Sequence, residues 1–148
     1  MILPNGKKVK RVAVYVFNDR ECIVDDYVVV FLNELKKHVN RLLVVVNGEI
    51  NDEGKDKFNS VTSDLLIREN TGYDITGYKK GIEYLGWDEI YQYDELILAN
   101  STLYGPIYPF SEMFDTMEKR DVDFWGITKH HMVEYDVFGT CKYGYIPE

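Results

Sequence analysis

The chain predicts an α/β fold, a mostly parallel sheet flanked by helices, and three features carry that reading. Runs of β-branched and aromatic residues such as Arg11–Phe17 (RVAVYVF) and Leu42–Val46 (LLVVV) lack polar alternation, as strands covered on both faces do. Segments of helical periodicity separate these runs and are long enough for right-handed crossovers between parallel strands. Each apolar run also stops on polar residues, and an open parallel sheet binds its ligands just beyond the carboxyl ends of its strands.

Residues 1–10 read as a solvated lead-in. The first strand, Arg11–Phe17, ends in Asn18-Asp19-Arg20. Asp25–Lys37 follows as a helix, with Val28, Phe31, Leu32 and Leu35 on one face and Asp25 or Asp26 available as its cap. Leu42–Val46 is the second strand, stopped by Asn47-Gly48. Asn51–Phe58 is short and charged, a surface helix or a loop. Asp64–Arg68 is the third strand, and the turn after it holds Asn70, Gly72 and Asp74. Ile75, Tyr78, Ile82 and Leu85 then fall on one helix face, with Gly86 placed to end it. Glu95–Ala99 is the fourth strand and breaks at Asn100-Ser101-Thr102. Pro106 and Pro109 bracket an aromatic connection, and Phe110, Met113, Phe114 and Met117 mark another helix. Val122–Thr128 (VDFWGIT) is a last strand candidate; from Lys129 onward the pattern is that of a loop. With no internal repeat and no low-complexity segment, residues 11–148 read as one domain.

A chain of 148 residues with 45% apolar content is large enough for a proper core. Its net charge of −8 argues against a nucleic-acid groove built on a basic stripe. Cys22 and Cys141 lie far apart in no metal-like spacing, which suits reduced thiols in a cytoplasmic protein. No apolar run approaches the roughly 18 residues of a membrane span, and the opening segment has no secretory core. Lys7, Lys8, Lys10 and Arg11 leave a peripheral contact with an acidic membrane surface open. His130 and His131, adjacent in extended chain, point to opposite faces and make a poor pair of metal ligands. No Ser/His/Asp or Cys/His arrangement and no P-loop occurs.

Several motifs taken together resemble one family. They are Arg68-Glu69-Asn70-Thr71-Gly72-Tyr73-Asp74, then Gly77-Tyr78-Lys79, Gly81, Tyr93-Asp94, Asn100 through Pro106, and Asp123-Phe124-Trp125-Gly126-Ile127-Thr128. The set is similar to rhamnan synthesis protein F, whose members are treated as sugar transferases of cell-surface polysaccharide assembly related to the GT-A glycosyltransferases. The resemblance spans roughly residues 11 to 128 and implies the nucleotide-binding half of a GT-A-like, Rossmann-like fold. It implies a nucleotide diphosphate sugar and a glycan acceptor as partners, with work at the inner face of the membrane. It also implies Mg²⁺ or Mn²⁺ at the fourth strand end. There the family pattern looks like Asn-Asp-Ser, whereas this chain has Asn100-Ser101-Thr102 and so lacks the central acid. The acceptor-side half, with its catalytic base, is expected beyond the Asp-Phe-Trp-Gly stretch, so the domain reads as truncated.

The candidate nucleotide-sugar-binding residues are Asn18, Asp19, Asn47, Arg68, Asn70, Gly72, Asp74, Lys79, Asn100, Ser101 and Thr102. Arg68 offers a forked donor for a base or a diphosphate, or else a surface ion pair with Glu69. Asn70 and Gly72 allow a turn at positive φ that brings backbone close to a ligand. Asp74 suits a base or ribose group, and equally a helix N-cap. Lys79 either reaches the ligand or faces solvent. Asn100 and Thr102 alternate to one side, fit for ribose hydroxyls or a hydrated ion, or for a plain strand-end turn. Tyr104, Tyr108, Phe110, Phe124 and Trp125 read as packing ahead of a sugar platform. The rival to a transferase is a non-catalytic docking module that keeps the same half-fold. A receiver-like signalling domain is disfavoured by the lack of paired acids after the first strand.

Overall fold

In the computed structural model, which describes residues 8–128, four strands lie parallel in one sheet. They are β1 (Arg11–Phe17), β2 (Arg41–Asn47), β3 (Asp64–Arg68) and β4 (Glu95–Asn100), in the order β3-β2-β1-β4. Five helices accompany them: α1 (Asp26–Lys36), α2 (Asp52–Val61), α3 (Tyr73–Leu85), the single turn α4 (Trp87–Ile90) and α5 (Phe110–Met117). The described chain falls into two units, one up to Glu118 and one from Lys119. The sheet and all five helices belong to the first.

Burial follows position in the sheet. β1 has a neighbour on either side and helices on both faces, so all seven of its residues are buried. Among the described residues β3 and β4 each pair on one side only, and they are half-buried. On one face Tyr15 meets Phe31 of α1 at 5.6 Å between ring centroids, and Phe17 meets Phe58 of α2 edge-on at 5.2 Å. On the other face Val12, Val14, Val16, Leu43 and Val45 form a cluster with Leu85 and Ile90. α3 comes unusually near the sheet there because its inner face carries glycine. A Cβ on Gly81 would stand 2.5 Å from a methyl of Val14, and one on Gly77 would stand 2.9 Å from Val16.

A buried ion cluster ties α5 to the sheet. Arg11, at the start of β1, donates to Glu95 of β4 and to Glu118 just past α5, the latter at 2.6 Å. Its guanidinium also lies 4.5 Å over the ring of Phe114. Burial raises the proton affinity of the Glu118 carboxyl, but its contacts with cationic groups, Arg11 first among them, together hold it below the usual carboxylate range.

Several expectations are sharpened or corrected. The charged segment from Asn51 is a helix, capped by the Asn51 side chain, which accepts from the Gly54 N–H at 2.7 Å. Asp25 stands at the N-cap of α1 without a side-chain cap bond. Gly86 ends α3 at φ 79°, and α4 follows at once, a turn too short for periodicity to reveal. Val122–Thr128 is no strand: its described residues are irregular and mostly exposed, and a β-prone run without a paired edge has nothing to complete its hydrogen bonds. Of the aromatics read as packing, Phe110 is buried, whereas Tyr104, Tyr108 and Phe124 are exposed. Cys141 and the His130-His131 pair lie outside the described residues. Among the described residues no helix is long and apolar enough to cross a membrane.

Candidate functional site

The strand order places a topological switch point between β1 and β4, since the chain steps outward through β2 and β3 and then returns to the far side of β1. α1 and α2 cover one face of the sheet and α3 the other, and the crevice beyond the strand ends is where such sheets take ligands. The tips met there are polar for a simple reason of phase. Asn47 lies two residues after Val45, Arg68 two after Leu66, and Asn100 two after Leu98, each on the side-chain row that faces α3. Deep in the sheet that row is apolar; at its carboxyl end it turns polar.

Asn47 is the hub of this row, a polar side chain only 1% exposed. Its Oδ1 accepts from an Arg68 guanidinium nitrogen, and its Nδ2 donates to the carbonyl of Tyr73 at 3.1 Å. Its own carbonyl accepts from the Asn18 amide. A second guanidinium nitrogen of Arg68 donates to both the carbonyl and the hydroxyl of Thr71 at 2.9 Å. Arg68 is therefore held in a fixed orientation by two neighbours rather than by an acid, and the ion pair with Glu69 does not form.

On the β4 side the Asn100 amide donates to a carboxylate oxygen of Asp74 at 2.7 Å, and the Thr102 hydroxyl donates to Asn100 Oδ1 at 2.8 Å. This corrects the cap reading of Asp74. Gly72, left-handed at φ 72°, occupies the N-cap of α3, and Asp74 turns its carboxylate toward β4 instead. Glycine is required there, because a Cβ would stand 2.1 Å from the Thr76 hydroxyl. Tyr73 follows at φ 54°, an uncommon value for a bulky residue, and its carbonyl is the one Asn47 holds. One turn on, burial and then the Asp74 charge push the Tyr78 phenol up to about 12, so it stays protonated at neutral pH.

The remaining candidates divide. Ser101 bridges β1 and β4: its N–H donates to the Val16 carbonyl at 3.0 Å, and its hydroxyl accepts from the Asn18 N–H at 3.4 Å. Asn70 borders Gly48, whose N–H donates to the Arg68 carbonyl at 2.8 Å. Asp19 is turned into its own loop, where it accepts from the N–H groups of Glu21 and Ile23. Lys79 is not brought to the cluster. It is 72% exposed on the far side of α3, 3.8 Å from Glu83.

Two aromatic residues lie beside the cluster: Tyr104, which the sequence offers as packing ahead of a sugar platform, and Tyr27, which no sequence signal marks. Tyr27, in the first turn of α1, donates its hydroxyl to the Ser101 carbonyl at 3.0 Å. Its ring stacks on Tyr104 at 4.1 Å between centroids. Burial, and then the neighbouring Tyr104, raise the Tyr27 phenol above its ordinary value.

The donor set bears on the implied metal. Mg²⁺ or Mn²⁺ is held best by carboxylate oxygens in a near-octahedral shell. The tips present one carboxylate between β4 and α3, already bonded to an amide, with amides and hydroxyls around it. Among the described residues no three His, Cys, Asp or Glu side chains gather. Such a set does not fit a divalent ion, and it suits the hydroxyls of a ribose or a sugar, with Arg68 as the group for an anion.

The architecture defines an open, Rossmann-like α/β protein with a polar cluster along the carboxyl ends of its strands. The model of the rhamnan synthesis protein F family matches residues 42–148, and the chain belongs to that family. Membership ties it to the synthesis of rhamnan polysaccharide. Comparison with curated proteins gave no match, and comparison with solved structures gave none either.

Proposed function

We propose that the strand-tip cluster binds a nucleoside diphosphate sugar, and that the protein acts in the transfer of that sugar to a rhamnan-type glycan, in the manner of a GT-A glycosyltransferase. One observation carries the reading. A restrained guanidinium (Arg68, at the tip of β3) and a group of carboxylate, amide and hydroxyl side chains (Asp74, Asn100, Thr102, beside the tip of β4) stand at the carboxyl end of one parallel sheet. A sugar nucleotide offers the complementary groups, a dianionic diphosphate flanked by two rings rich in hydroxyls. Direct displacement breaks the anomeric C–O bond to the diphosphate and forms one to an acceptor hydroxyl. The charge left on the diphosphate falls to Arg68, already oriented before the reaction begins. No residue of the cluster is assigned as the base that takes the acceptor proton. A charged, water-soluble donor of this kind places the work on the cytoplasmic side, at the inner face of the membrane.

Calorimetric titration with UDP, dTDP and GDP sugars, each with and without Mg²⁺ or Mn²⁺, tests the reading. One donor class should saturate the protein with little change when the ion is added, and Arg68→Ala should weaken it about tenfold or more. If the folded protein binds none of them, the donor reading fails. The non-catalytic docking module then stands, a reading favoured by the engagement of the one carboxylate between α3 and β4 with Asn100.

A further inference from the structure

The segment that leaves β4 exposes an unusual amount of apolar surface next to the cluster. Ile107 is 88% exposed and Tyr104 is 76% exposed, and Leu103 and Tyr108 are also open to solvent. Left in water, such surface costs about 25 cal/mol per Å², and large apolar side chains exposed this closely along the chain point to a binding site. Tyr104 is the member whose ring is packed against another. One face of its ring is backed by Tyr27 at 4.1 Å with the planes 23° apart, and Tyr27 is itself anchored to the Ser101 carbonyl at 3.0 Å. A backed ring does not pay rotamer entropy again when something settles on its open face.

We propose that Tyr104 is a stacking platform for a pyranose ring of the acceptor glycan, on the β1/β4 side of the donor cluster. A pyranose has an apolar C–H face and a rim of hydroxyls, so it needs an aromatic face with polar groups close by. Thr102 and Ser101 precede the tyrosine in the chain and belong to the cluster already described. A 6-deoxyhexose such as the repeating unit of a rhamnan adds a methyl group to its apolar side, and Leu103 and Ile107 provide apolar surface for it. A lipid surface is a poorer occupant. Residues 101–118 contain no Lys or Arg but include Glu112, Asp115 and Glu118, and the chain carries a net charge of −8, which an anionic leaflet repels.

The proposal extends the sugar-transfer reading to its acceptor and is measured apart from it. A rhamnose trisaccharide, without nucleotide, is titrated into the wild-type protein, Tyr104→Ala and Tyr104→Phe, followed by saturation-transfer NMR, with a thermal melt of each variant. The wild type should bind; Tyr104→Ala should lose about tenfold or more in affinity and Tyr104→Phe should stay within about twofold. Nucleotide affinity should be the same in all three. Equal trisaccharide affinity in Tyr104→Ala overturns the proposal, as does a wild type that shows no binding at about 10 mM, the weak end of specific association. Loss of nucleotide binding in Tyr104→Ala with the trisaccharide unaffected also overturns it and assigns the ring to the donor base. Should no protein bind nucleotide while the trisaccharide pattern holds, the donor reading falls and the platform stands. If Tyr104→Ala does not fold, Tyr27→Ala removes the backing ring instead; unchanged trisaccharide affinity there counts against the proposal.

Discussion

Tyr15 sits at the centre of the sheet with its ring against Phe31 and its hydroxyl without a hydrogen-bond partner among the described residues. A buried hydroxyl left unpaired forfeits its hydration and gains nothing in exchange. Burial accordingly raises its phenol far above the ordinary value. Tyr15→Phe keeps the ring and removes the orphan, so urea denaturation should show a gain of about 1 kcal/mol. A loss of similar size would mean that the hydroxyl has a partner after all. Single residues also show what could be read in advance. Asn47, Arg68 and Asn100 stood out because each breaks an apolar run. Asp74 stood out as well, but its pairing with Asn100 did not, because a pairing is set by which strand lies alongside, and the local pattern of a cap competed with a contact 26 residues away.

At the scale of elements, the strands were the most legible part, since runs buried on both faces leave little room for another interpretation. β3 begins and ends where its pattern says, and β4 runs one residue further, to Asn100. Helices were legible where an apolar stripe existed. α2 was half-read because Phe58 and Val61 supply most of its buried side chains while its other positions are largely charged or polar. The VDFWGIT segment shows the reverse error, strong β propensity with no described edge to join. The glycines of α3 stood in the sequence only as part of the family's motif set; their use lies in packing. Gly81→Ala offers up to about 1 kcal/mol of helix propensity but drives a methyl into Val14, a branched residue fixed in the central strand. Overpacking of that kind costs about 1–3 kcal/mol. The variant should therefore be less stable, and a thermal melt with unchanged or raised midpoint would show that α3 can lift off the sheet freely.

For the molecule as a whole, the order β3-β2-β1-β4 decides which tips are neighbours, and nothing in the linear pattern states it. That all strands point one way was inferable from crossover lengths; that Asn18 and Ser101 would meet across the switch point was not. The Arg11 cluster adds an ionic tie to the packing of β1, β4 and α5, and it makes acid stability predictable. Because Glu118 has a lowered value in the folded state, its contribution is complete above the unfolded carboxylate value of about 4.3. It is lost as pH falls through the folded value. Glu118→Gln should cost about 1–3 kcal/mol at neutral pH. In return it should give a shallower decline of stability below about pH 4 than the wild type shows. Parallel acid limbs would indicate that Glu118 is not what holds Arg11 in place.

The two glycines of α3 seat that helix like a key in a slot. Sliding it along the sheet would bring the methyls of Val14 and Val16 against its backbone, so the first turn, with Tyr73 and Asp74, has no travel of its own. Whatever ligand arrives must therefore accept the spacing between Arg68 and Asp74 as it stands. For the proposed donor, selectivity at this edge would then be a matter of length, gauged by groups set before it arrives.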